Sequence, residues 1–336
     1  MHSETLKGAR LAAVLMSAGL AMWGGSAQAQ AQAAVAKPYT VVNASFACQQ
    51  TTCDAELWLP VQAANTPKPP VIIMAHGFGL LKEHGLTPFA EHFVNAGFAV
   101  VRFDYRGFGK SGGQPRLVVD GPAHAKDWVS AVDAISQRGD VDGQRLGIWG
   151  TSYSGGHVLV AAAERPALVK AVSSQVPFVN GISSSLNFPI KYQPVAGWYA
   201  ARDVVRGANQ EPLYIPIIAK DAFAALICTE CVEGYTALHP QGLGDDNRVA
   251  ARVFLSLPFY FPGSRAADVK APTLMVAAEK DGLIPVGKVR STAKALPKGE
   301  YVELKGAHHF SPYSGSLFEQ VVGKQTAFFK KNLMGL

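Results

Sequence analysis

The chain has 336 residues, 48% of them hydrophobic and 17% charged, with a formal net charge of +6. That balance argues against a disordered chain, and the Lys and Arg residues are scattered rather than massed in one run, which argues against nucleic-acid binding. About 300 residues beyond the N-terminal segment suffice for one sizeable α/β domain with an insertion.

Lys7 and Arg10 precede an apolar stretch, Leu11 to Trp23, that is too short to span a bilayer. Ser26-Ala27-Gln28-Ala29 then offers small residues to a signal peptidase. Residues 1–29 read as a signal peptide, cleaved after Ala29 or at Ala31 or Ala33, which sends the protein to the periplasm or the exterior. An uncleaved amphipathic anchor is the alternative. No cysteine follows the apolar stretch, so neither a lipid anchor nor any stable membrane anchor is expected. Loss of Glu4, Lys7 and Arg10 leaves about +5, enough for some attraction to anionic surfaces.

Export gives the four cysteines a meaning. Cys48 and Cys53 flank the turn Gln49–Thr52 of an expected hairpin, Val41–Phe46 with Ala55–Leu59. Cys228 and Cys231 form a CxxC in an expected helical region. In an oxidising compartment this reads as two local disulfides, although four cysteines allow three pairings. A zinc site built from all four thiolates is the rival.

From the Pro-rich loop Pro67–Pro70 onward, short strand-like runs, the first of them (Val71–Ala75) wholly apolar, alternate with helical patterns. Expected strands are Val71–Ala75, Phe98–Phe103, Leu146–Trp149, Val169–Gln175, Thr273–Ala278 and Glu300–Leu304. Expected helices begin at Thr87 (stopping at Gly97) and cover Pro122–Gln137, Tyr153–Ala163, Val286–Ala295 and Phe318–Asn332. Apolar runs of this length suit strands buried on both faces, so the fold class is α/β, a mostly parallel sheet flanked by helices. The core comprises residues 38–180 and 266–336. The alternation fails across 181–265, where helical pieces (Ala222–Ile227, Glu230–Leu238, Arg248–Leu257), prolines and many aromatics, among them Trp198, Tyr199, Tyr214, Phe223, Tyr235, Phe254, Phe259, Tyr260 and Phe261, imply an inserted helical cap. Most of those aromatics read as the cap's own core, a few as lining for an apolar pocket.

Within Arg145 to Gly156, a buried strand breaks at a serine among small residues and continues as an apolar helix. Gly150-Thr151-Ser152-Tyr153-Ser154 is the pattern of a strained strand-to-helix turn that exposes a hydroxyl, with Ser154 where Gly is usual. Ser152 is therefore the candidate nucleophile, and it needs a base. His308 and His309 follow the last expected strand, and His309 is preferred from its spacing. Asp281, in the turn after Thr273–Ala278, is the acid that would orient the imidazole; Glu279 is its alternative, and Asp268 lies too early. His76-Gly77-Phe78-Gly79 follows the first buried strand. The amides of Phe78 and Tyr153 would hold an oxyanion, with His76 shaping the loop.

Ser152, Asp281 and His309 in that order, with His76-Gly77-Phe78-Gly79 and the turn Asp104–Gly113, resemble the α/β-hydrolase superfamily. The branch resembled is that of esterases related to dienelactone hydrolases and to X-Pro dipeptidyl peptidases of the cocaine-esterase type. Two departures stand: Ser154 in the elbow, and no extra β-sandwich domain after His309, which counts against X-Pro peptidase activity. Dienelactone hydrolases use a cysteine nucleophile, so their substrate is not carried over. The resemblance implies a serine hydrolase of small-molecule carboxylic esters needing no metal or organic cofactor, and the cap aromatics point to an ester with an apolar part. The alternatives are a serine peptidase or amidase on short peptides, and a non-catalytic binding protein on the same scaffold.

Overall fold

The computed structural model describes residues 37–207, 210–244 and 247–336; the expected signal peptide lies outside them. Tyr39–Cys48 (β1) and Thr51–Pro60 (β2) pair antiparallel as the expected hairpin, and Cys48–Cys53 closes its turn as a disulfide. The chain then enters the interior. Pro70–Ala75 (β3) is buried at every residue, and Thr87–Asn95 (α1) leads into Ala99–Phe103 (β4), likewise wholly buried. Gly121–Ser136 (α2) is capped by the Asp120 carboxylate, which accepts from the Ala123 amide. Asp142–Thr151 (β5), Tyr153–Glu164 (α3) and Val169–Gln175 (β6) follow.

After β6 the chain leaves the sheet. It forms Gly181–Leu186 (α4), Gln193–Val205 (α5), Tyr214–Pro216 (β7), Cys231–Ala237 (α6), Arg248–Ala250 (β8) and Val253–Ser256 (α7). It returns as Thr273–Ala278 (β9), Val286–Ala295 (α8), Gly299–Leu304 (β10) and Gly315–Phe329 (α9). The main sheet has the order β1-β2-β4-β3-β5-β6-β9-β10. From β4 to β10 every neighbouring pair is parallel, and the β1–β2 hairpin joins antiparallel at one edge. This is an α/β-hydrolase fold with an inserted cap. Because crossover helices cover both faces, the central strands carry no polar alternation. Trp128 of α2 and Trp149 of β5 are fully buried against it, on helix and strand respectively.

The inserted region departs from expectation in detail. Ala222–Ile227 is not helical: the amides of Ala225 and Leu226 reach back to the carbonyls of Pro216 and Ile217 at 2.9 and 2.8 Å instead of bonding within a helical turn. Arg248–Leu257 starts as β8, paired antiparallel with β7, because buried Val249 needs a ladder partner, and only its second half is helical. α5 was not expected. Its Pro194 sits in the first turn, where a missing N–H costs nothing. Of the cap aromatics named above, Phe223 packs against both Tyr199 and Phe254, whereas Trp198 and Phe259 are exposed.

Candidate active site

Parallel strands deliver their C-terminal loops to one rim, and the candidate residues arrive there from β3, β5, β9 and β10. The β5–α3 turn is the tightest of them. Ser152 has φ +56° and ψ −119°, a conformation a non-glycine residue holds only when its surroundings impose it. Its amide donates to the Gln175 carbonyl at 2.8 Å, and its carbonyl accepts from the Phe178 amide at 2.9 Å, so β6 and the strand exit grip both sides. Glycine is needed three residues further on: a Cβ on Gly155 would lie 2.9 Å from the Pro177 Cα.

Ser154, the departure from the usual motif, points inward and is fully buried. Its Oγ accepts from the Tyr105 hydroxyl at 2.8 Å and from the Trp128 indole N–H at 3.0 Å, and the same indole reaches the Tyr105 oxygen at 2.9 Å. The extra hydroxyl is thus a partnered strut under the elbow. Burial holds the Tyr105 phenol well above its ordinary range, so it is a neutral donor here.

The structure brings Ser152, His309 and Asp281 together. His309 Nε2 lies 2.9 Å from Ser152 Oγ, and His309 Nδ1 lies 2.7 Å from Asp281 Oδ2. The other oxygen of Asp281 accepts from the amides of Leu283 and Ile284 at 2.9 and 2.8 Å, which fixes the carboxylate in its turn. The His309 and Asp281 side chains are only 2% and 4% exposed, so their attraction is little screened. The rival residues go elsewhere. Glu279 binds the Gly306 amide and Lys305, Asp268 pairs with Arg265, and His308 Nδ1 faces the Lys280 carbonyl in a half-exposed position.

The loop after β3 supplies the opposite wall. A Cβ on Gly77 would sit 3.1 Å from the Ser152 Cβ, so only glycine lets the Gly77–Phe78 peptide approach Ser152 this closely. The Phe78 amide meets no acceptor among the described residues, and the Tyr153 amide is the first of α3, where a helix leaves its N–H groups unbonded. His76 donates through Nδ1 to the Gly77 carbonyl at 2.9 Å, and burial pushes its pKa down to about 4. Asp104 in the following turn holds the Lys82 amide at 2.6 Å and its ammonium at 2.9 Å.

One residue escaped sequence reasoning. Glu230, between the cap cysteines, accepts from the His309 amide at 3.4 Å. Cys228–Cys231 is a disulfide, and a Cβ on Gly282 would lie 2.9 Å from the Cys228 Cβ, so this cap loop lies on the Asp281 turn. Only its CxxC setting marked Glu230 in the sequence. With all four thiols in disulfides, no thiolate is left for the zinc reading.

Ser152 faces two recesses. A cavity of about 380 Å³ runs under the cap, lined by Phe78, Tyr153, Phe178, Leu186, Phe188 and Phe254 among others, with no acidic side chain in its wall. A recess of about 30 Å³ lies on the His309 side, between Gly77, Leu238 and Phe310. Of the cap aromatics named from sequence, only Phe254 lines the larger one.

Sheet order, cap and elbow define the class: an α/β-hydrolase. A family model for X-Pro dipeptidyl-peptidase (S15 family) matches residues 50–203. Quorum-quenching protein AidA of Acinetobacter baumannii is 36% identical over 296 residues, covering 88% of this chain and 96% of that protein. Among solved structures, hypothetical protein PA2218 from Pseudomonas aeruginosa aligns with TM-score 0.75 at 23% identity, over 89% of this chain and 95% of that one. The α/β hydrolase GrgF from Penicillium sp. aligns with TM-score 0.73 at 23% identity, over 88% and 99%. The chain belongs to the α/β-hydrolase superfamily and is a hydrolase-type enzyme. No helix among the described residues is long and apolar enough to cross a membrane.

Proposed function

We propose that the protein is an exported serine hydrolase that cleaves carboxylic esters through an acyl-enzyme on Ser152, with residues 181–265 as its cap. The observation that carries this reading is the unbroken relay from Ser152 Oγ to His309 at 2.9 Å and from His309 to Asp281 at 2.7 Å. His309 takes the hydroxyl proton as the oxygen attacks the ester carbonyl, and Asp281 stabilises the imidazolium that forms. The amides of Phe78 and Tyr153 hold the oxyanion. His309 then gives its proton to the departing alkoxide, and water, activated by the same imidazole, releases the acid from Ser152.

The recesses orient the substrate. Ser152 and Phe78 line both recesses, but Tyr153 lines only the large one and His309 only the small one, so the acyl group points under the cap and the leaving alcohol lies beside the histidine. A large apolar acyl group with a small alcohol is the substrate this shape fits. The Acinetobacter relative is named for quorum quenching, and we carry that role over as the biological setting, with an apolar acyl signal as substrate. A second acceptor competing with water would turn the same acyl-enzyme to transfer; the Penicillium relative is named a polyketide transferase.

The S15 match favours a second reading, a peptidase on short peptides. Against it, the substrate's α-ammonium needs an anionic partner, and the cavity wall has no carboxylate. The test compares p-nitrophenyl esters of rising acyl length with amino-acyl p-nitroanilides, on the parent and on Ser152→Ala. Ester turnover that improves with acyl length and vanishes in the variant is expected. Turnover of the anilides alone overturns the esterase reading.

A further inference from the structure

The cap carries an unpartnered apolar face on α5. At 100° per residue, Val195, Trp198, Arg202 and Val205 of α5 fall within about 80° of one another. Trp198 is 54% exposed, Val205 86%, and Ile190, just before the helix, 81%. Leu186, 75% exposed, lines the cavity with Gln193, Ala196 and Gly197 of α5, which lie on the side of the helix turned away from this face.

Its charge is one-signed. The Arg202 guanidinium lies over the Trp198 ring at 5.1 Å, and the Lys191 ammonium over Tyr192 at 4.8 Å. Asp203 is the sole acidic residue between Gly181 and Gly207, and its buried carboxylate is taken by Arg252 at 2.8 Å. Clustered exposed apolar side chains mark docking surfaces, and tryptophan with long basic side chains suits the headgroup zone of a bilayer. A second copy of this face would bring Lys191 and Arg202 against their own like charges. The N-terminal segment, with Lys7 and Arg10 against Glu4, has the same sign.

We propose that this cap face docks on an anionic lipid surface. Ile190, Trp198 and Val205 enter the headgroup–acyl boundary, and Lys191 and Arg202 pair with headgroup phosphates. The docking does not depend on the hydrolase reading.

The test is co-sedimentation of the full chain with phosphatidylglycerol–phosphatidylcholine vesicles and with phosphatidylcholine alone. Salt-sensitive binding to the anionic vesicles is expected, falling about thirtyfold in Lys191→Gln/Arg202→Gln. Ile190→Ser/Trp198→Ser should weaken it comparably. Both variants should keep the parent's circular dichroism and its hydrolysis of a soluble short-chain ester. Any contribution from the leader is common to parent and variants and cancels. No binding, equal binding to both vesicles, or equal binding by parent and variants overturns the proposal. So does a dimer in sedimentation velocity that Ile190→Ser/Trp198→Ser abolishes, which would assign the face to a second copy. Fluorophosphonate labelling of the same samples reports the hydrolase reading separately.

Discussion

Ser154→Ala isolates the residue that departs from the usual elbow. In the parent, Ser154 Oγ accepts from Tyr105 at 2.8 Å and from Trp128 at 3.0 Å in a fully buried site. Alanine removes that acceptor. The indole keeps a partner, the Tyr105 oxygen at 2.9 Å, but the Tyr105 O–H loses its acceptor where no water reaches it. An orphaned buried donor costs about 1–3 kcal/mol. At about 2–4 °C per kcal/mol for a domain of this size or somewhat smaller, the melting temperature should fall by several degrees. Tyr105→Phe removes the O–H itself and leaves Trp128 on Ser154, so it should cost less, about 0.5–1.5 kcal/mol. Urea denaturation of both variants gives the stabilities, and kcat/KM on a p-nitrophenyl ester should stay within a few-fold of the parent. A stability loss larger in Tyr105→Phe than in Ser154→Ala refutes the strut. A loss of activity beyond about tenfold, or about 1.4 kcal/mol, at undiminished stability would place Ser154 in the chemistry.

Asp281→Asn should lower kcat by about 10³–10⁴ with little change in KM, because the amide cannot hold the imidazole in its working tautomer; steady-state kinetics decide, and a drop under tenfold speaks against the relay. Acid should weaken the fold through His76 and His157. Burial lowers their pKa values to about 4 and about 3, so the unfolded chain, with histidines near 6.5, binds more protons in between. Stability is therefore full above pH 6.5 and falls toward pH 4, by about 3 kcal/mol from His76 alone; urea midpoints that rise as pH falls over that span contradict this. Replacing Cys48 and Cys53 by serine should cost about 2–4 kcal/mol of stability and leave kcat unchanged. Replacing Cys228 and Cys231 should lower kcat as well, since Glu230 and the Cys228 contact with Gly282 then lose their hold on the His309 and Asp281 loops; kinetics on both pairs distinguish the two disulfides.

What could be read from the sequence follows from how strongly each residue constrains its neighbours. Val71–Ala75 and Leu146–Trp149 carry no polar side chain and Thr273–Ala278 only one, Thr273 at its start, a pattern that suits a doubly covered strand, so the sheet was legible. Because strand ends set where loops emerge, Ser152, Asp281 and His309 could be gathered on one rim before any distance was known. The cap was not legible to the same degree. Its three-residue strands Tyr214–Pro216 and Arg248–Ala250 are too short to show alternation, and Pro194 disguised the start of α5 although the first turn tolerates it. The Tyr105–Trp128–Ser154 strut and the reach of Glu230 to His309 join residues 23 to 79 positions apart, and nothing local announces them.

The central claim is that Ser152 is the nucleophile driven by His309. Reaction of the folded protein with a fluorophosphonate, followed by peptide mass mapping, tests it most directly. One adduct on Ser152 is expected, absent in Ser152→Ala and formed far more slowly in His309→Gln. An unmodified Ser152 in folded protein, or an adduct on another serine that survives Ser152→Ala, contradicts the account.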